Sequence, residues 1–173
     1  IVAASIATML AKRGHQVLLT TTDPAAHIND FMNQLDETPE SLVIERIDPK
    51  VETKNYISKV VEQKGAKLDE EGKKLLLEDL QSPCSEEVAV FHAFSSAIFK
   101  AKKQFVVMDT APTGHTLLLL DTTGSYHREI LKTMDSKKIK TPYMFLQDAA
   151  FAKILLVALP ATTPMREAEG LQN

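Results

Sequence analysis

Two aspartates stand where an apolar run gives way to a turn. Asp109 follows Phe105-Val106-Val107-Met108 and precedes Thr110-Ala-Pro-Thr-Gly-His-Thr116. Asp23 follows Gln16-Val-Leu-Leu-Thr-Thr-Thr22 and precedes Pro24. A short apolar, β-rich run reads as a buried strand. Ligands of open α/β sheets sit at the carboxyl ends of the strands. A hard oxygen donor there suits Mg²⁺, which keeps several waters and takes one or two carboxylates. A second carboxylate can orient or deprotonate an attacking water. Asp-Pro at a strand end is also a common turn, so Asp23 alone carries little. Asp109 carries more, because a proline, a glycine and a helix follow it at once.

The third reactive side chain is Cys84, the single cysteine. A lone cysteine is usually a small buried hydrophobe. Ser82-Pro83 before it, however, reads as an N-cap and first helical position. A helix N-terminus lowers a thiol's pKa and favours thiolate, a soft ligand. His115, in the Asp109 segment, is by itself more often a structural histidine. His15, His27, His92 and His127 have no comparable support and read as structural or surface residues.

The elements that must hold these residues alternate. Ile1 to Arg13 reads as an apolar helix closed by Gly14. It has no N-cap, which suggests a piece of a longer protein or a polar start not included here. Strands are expected at Gln16–Thr22, Leu42–Ile47, Phe105–Met108 and Ile154–Leu159. Helices are expected at Glu52–Lys64, Asp69–Gln81, from Ser82 onwards, from Leu117 and after Pro160. The stripe Val88, Phe91, Phe94, Ile98 and Phe99 reads as core. Alternation of this kind predicts a parallel α/β sheet flanked by helices, with residues 51–103 as a helical insertion.

Bulk properties agree with one domain in 173 residues with a net charge of −3. That balance disfavours nucleic acid as a partner, since phosphate backbones need clustered Lys and Arg. The lysine groups 100/102/103 and 137/138/140 read as solvated helix ends and loops. One cysteine excludes an internal disulfide and suggests a reducing, cytoplasmic setting. No apolar run approaches the ~20 residues of a membrane-spanning helix.

Thr20-Thr-Thr-Asp-Pro-Ala-Ala-His27 and Asp109-Thr-Ala-Pro-Thr-Gly-His-Thr-Leu-Leu-Leu-Leu120 resemble the two switch segments of the family of arsenite/antimonite-translocating and tail-anchored-protein targeting ATPases. Arg46-Ile-Asp-Pro49, Glu78-Asp-Leu-Gln-Ser-Pro-Cys84 and Leu159-Pro-Ala-Thr-Thr-Pro164 extend the resemblance over nearly the whole chain. Ser-Pro-Cys, Glu86-Glu87 and Phe91 place it nearest the arsenical-pump branch, whose members carry two homologous halves, and nearest the second half.

The resemblance implies a deviant P-loop NTPase fold, with residues 1–173 a partial ATPase domain lacking its phosphate-binding loop and 51–103 the insertion carrying the metalloid-site cysteine. It implies ATP and Mg²⁺ as cofactors and As(III) or Sb(III) as the stimulating or transported ligand. Asp23 becomes the switch I residue acting on the hydrolytic water, and Asp109 holds Mg²⁺ through water. Gly114 and His115 belong to switch II. Ser82, Cys84 and His115 each meet a metalloid ligand from the other half. Implied partners are that half, an integral membrane arsenite transporter that brings the protein to the membrane surface, and a metallochaperone. An isolated piece without the loop is expected to be inactive.

Two other readings remain. A targeting factor for tail-anchored proteins needs a Met-rich helical groove and, in many members, a Cys-x-x-Cys clasp. This chain has no Cys-x-x-Cys and no methionine between Val51 and Lys103. A partition-type ATPase acting on DNA or septum position fits poorly with the acidic balance and the Ser-Pro-Cys segment.

Overall fold

β1 (Val17–Thr21) is buried along its whole length and lies at the centre of a three-stranded parallel sheet, between β2 (Leu42–Arg46) and β3 (Phe105–Asp109). The structure is a computed structural model that describes residues 1–23, 38–66, 68–110, 113–133 and 140–172; for residues 83, 113–115 and 133 it describes the backbone alone. Val17 pairs with Leu42 on one side and Phe105 on the other, and the register runs unbroken to Thr21 opposite Arg46 and Asp109. A strand covered on both faces must be apolar throughout, which is why Val-Leu-Leu carries no alternation.

Each face has its own core. On one side α1 (Val2–Lys12) sets Ala4, Ala7 and Ala11 against Val17, Leu19 and Leu42. Small side chains at this spacing let the helix lie close to the sheet. α1 ends in a Schellman motif: the Gly14 N–H donates to the Ala11 carbonyl and the His15 N–H to the Leu10 carbonyl. Gly14 takes φ +87°, a conformation that a Cβ would strain.

The other face is covered by α4 (Pro83–Lys100) and the start of α5 (Thr113–Thr133). Val90, Phe94 and Ile98 of α4 meet Ile47 and Leu119, with Met108 packed against them. The core reading of the α4 stripe therefore holds for Phe91, Phe94 and Ile98. Val88 is exposed and Phe99 half-buried. Glu45 of β2 receives a 2.6 Å ion pair from Lys100 at the end of α4.

Between sheet and α4 the chain is helical, as expected. α2 (Pro49–Val60) begins earlier than Glu52, because the Asp48 carboxylate caps it by accepting from the Lys50 and Val51 N–H groups at 2.9 and 3.3 Å. It passes into a π-helical turn at Val61–Gly65 and then α3 (Glu70–Leu80), which Asp69 caps at Gly72 N–H. After α5 come α6 (Pro142–Gln147) and α7 (Thr162–Gln172).

One expected strand does not form. Ile154–Leu159 pairs with none of the described strands, and Ile154, Val157 and Leu159 are 70%, 67% and 72% exposed. Apolar β-formers become a strand only when a neighbouring edge takes up their N–H and C=O groups, and no described strand does so for this run. Among the described residues no helix is long and apolar enough to cross a membrane.

Candidate functional site

The in-register sheet brings the two aspartates to one edge. Asp109 is the last residue of β3 and stands opposite Thr21, the last of β1. The ladder extends one residue further, with the Thr22 N–H donating to the Asp109 carbonyl at 3.2 Å. Asp23 follows at once. Its N–H donates to Thr21 Oγ1 at 3.0 Å, a local turn that holds the backbone as it leaves the sheet. Both aspartates are half-buried, within reach of solvent and of a ligand beyond the strand ends. Hard carboxylates in such a place suit a water-mediated Mg²⁺ site, and of the two Asp109 is the one fixed by the sheet itself.

The next residues in each segment, Pro24–His27 and Ala111-Pro112, lie outside the described residues. Gly114 and His115 fall in the first turn of α5. Their side chains are outside what is described, so the His115 imidazole has no stated position.

Cys84 sits in the first turn of α4, exposed, as the Ser-Pro signal predicts. Ser82 occupies the N-cap position with extended backbone (φ −69°, ψ 151°), yet its side chain does not cap. Its Oγ lies 3.4 Å from Ser85 Oγ instead. α4 runs back towards the start of β3, so its first turn lies on the carboxyl side of the sheet, as do Asp23 and Asp109. Phe94 shares a core with Met108 and Leu119. At ~1.5 Å per residue Cys84 stands about 15 Å further along the helix axis. The cysteine and the aspartates thus share the carboxyl side of the sheet. No group of three His, Cys, Asp or Glu suited to a metal ion occurs among the described residues.

The family model described as anion-transporting ATPase (ArsA ATPase) matches residues 1–167. The chain belongs to the anion-transporting ATPase family. It is 58% identical over 171 residues to an arsenical pump-driving ATPase of Escherichia coli, covering 98% of this chain and 29% of that protein. The figures for an arsenical pump-driving ATPase of Acidiphilium multivorum are the same. An ATPase ASNA1 homolog of Paramecium tetraurelia is 33% identical over 126 residues, covering 68% of this chain and 38% of that protein. The chain thus spans less than a third of the length of these arsenical pump-driving ATPases. For a member of the anion-transporting ATPase family, a parallel sheet with carboxylates at its carboxyl edge is the P-loop NTPase arrangement expected from the switch-like segments.

The remaining described histidines have structural contacts. His15 meets the Phe105 ring edge-on at 4.9 Å, and His92 stacks on Tyr56 at 5.8 Å. His127 Nδ1 lies 2.8 Å from Thr141 Oγ1. His27 lies outside the described residues.

Proposed function

We propose that this chain is part of an ATPase whose hydrolysis of ATP drives arsenite or antimonite efflux and is stimulated by the metalloid. The observation that carries the reading is that adjacent, in-register parallel strands bring Asp109, opposite Thr21, and Asp23, two residues beyond Thr21, to the same carboxyl edge. The names of the relatives at 58% identity support the substrate. The more distant ASNA1 relatives favour a tail-anchored-protein targeting factor only weakly, and the helical block lacks the methionines of such a groove.

In this reading Asp23 orients the hydrolytic water and accepts its proton. Asp109 holds the hydration shell of Mg²⁺, which when bound neutralises developing charge on the phosphates. Gly114 and His115 open α5, whose Leu119 packs against α4, so a shift at the phosphate end is passed to the helix that carries Cys84. Cys84 supplies a thiolate to As(III) or Sb(III), with Ser82 and His115 beside it and further ligands from the homologous half of the same polypeptide. Binding across two halves couples metalloid occupancy to their closure. Residues 1–173 belong to the ATPase domain and 51–103 to its helical insertion. An integral membrane transporter and a metallochaperone are the external partners, and the ATPase reaches the membrane surface through the former.

The test is antimonite stimulation of the full-length protein. Cys84→Ser should lower the stimulation at least about tenfold while basal hydrolysis stays within about twofold. Unchanged stimulation would remove Cys84 from the metalloid site.

A further inference from the structure

A cavity of about 110 Å³ lies between α4, α5 and the start of α6, away from the aspartate edge. Phe91 and Phe99 of α4 and Tyr126 of α5 give it aromatic walls. Ser95 lies one helical turn from each phenylalanine and also lines the cavity. It is 8% exposed, and its Oγ has no hydrogen-bond partner. A buried hydroxyl in that state has lost its water without compensation, and a ligand that pairs with it recovers the loss. Thr141, the other buried hydroxyl in the wall, is already engaged with His127 Nδ1 at 2.8 Å. The exposed rim carries Lys140.

Size, wall chemistry and the two polar ends select a ligand class. A closed apolar cavity of about 150 Å³ holds a benzene-sized ring, so about 110 Å³ open at its rim admits no more than one six-membered ring. Aromatic walls favour a ring over an aliphatic chain. The unpaired hydroxyl calls for a hydroxyl at one end of the ligand, and the rim cation for an anion at the other. We infer that this cavity binds a small single-ring aromatic carboxylate bearing a ring hydroxyl. The ring lies among Phe91, Phe99 and Tyr126, its hydroxyl pairs with Ser95 Oγ, and its carboxylate lies at the Lys140 rim. The inference does not depend on the hydrolytic reading.

Calorimetric titration of the full-length protein with 4-hydroxybenzoate, benzoate and phenol tests it. 4-Hydroxybenzoate should bind about fivefold tighter than either of the other two, the size of one net hydrogen bond or exposed charge contact. Ser95→Ala should erase the advantage over benzoate and leave benzoate within about twofold. Lys140→Met should erase the advantage over phenol. Ser95→Leu, which fills the space, should abolish binding of all three. If that variant does not fold, the first two substitutions decide alone. Absence of binding to the unsubstituted protein, or 4-hydroxybenzoate affinity unmoved by Ser95→Ala, overturns the inference.

Discussion

Asp23 and Asp109 differ in what holds them. Asp109 belongs to the β3 ladder, whereas Asp23 sits in a turn fastened by a hydrogen bond to Thr21 Oγ1. A turn residue can follow a change in the phosphates, and a ladder residue cannot without breaking the sheet. Asp23→Asn should therefore abolish ATP turnover in the full-length protein, by about a hundredfold or more, while nucleotide binding measured by equilibrium dialysis persists. Retained turnover would take Asp23 out of the catalytic role. Both aspartates were legible in the sequence because a carboxylate after a β-rich run has one place to go, the carboxyl edge. Ser82 was legible as an N-cap position but not in its use, since the Ser82–Ser85 contact depends on side-chain rotamers that spacing does not set. The unpaired hydroxyl of Ser95 left no sequence signal, because serine inside an apolar helix ordinarily finds a carbonyl one turn back.

Element by element, the helices and strands that carry their own start and stop signals were readable. Gly14 closes α1 and the Ser-Pro pair opens α4 as expected. The Asp48-Pro49 start of α2 was missed because the same dipeptide also reads as a turn, and only the carboxylate-to-N–H bonds separate the two. These devices set measurable stabilities. Asp48→Ala should cost about 1 kcal/mol in urea unfolding through loss of the cap. Gly14→Ala should cost about 1 kcal/mol, since the residue keeps φ +87° with open space around it and the strain is conformational alone. Phe94→Ala, at 3% exposure in the α4 face core, should cost about 3–5 kcal/mol.

On the scale of the molecule, the sheet order β2-β1-β3 leaves the apolar run Ile154–Leu159 in solvent. Its misreading as a buried strand has a plain cause: composition reports an affinity for a sheet, and pairing reports whether an edge is at hand. With these side chains exposed, Leu155→Lys in the 173-residue chain should change stability by less than about 0.5 kcal/mol. It should also reduce binding of a hydrophobic dye such as ANS. A loss of several kcal/mol in the unfolding midpoint would mean that the run is buried after all. The second feature of this scale is α4. It is gripped at Val90, Phe94 and Ile98 and tied to Glu45 through Lys100, and its first turn lies beyond this grip. Mechanically that is a lever with its fulcrum in the core. With an arm of about 9 Å beyond Val90, a tilt of about 7° carries the Cys84 sulfur by about 1 Å. A repacking too small to disturb the aspartate edge is thus magnified at the thiol into a displacement large enough to make or break a bond to a shared ligand.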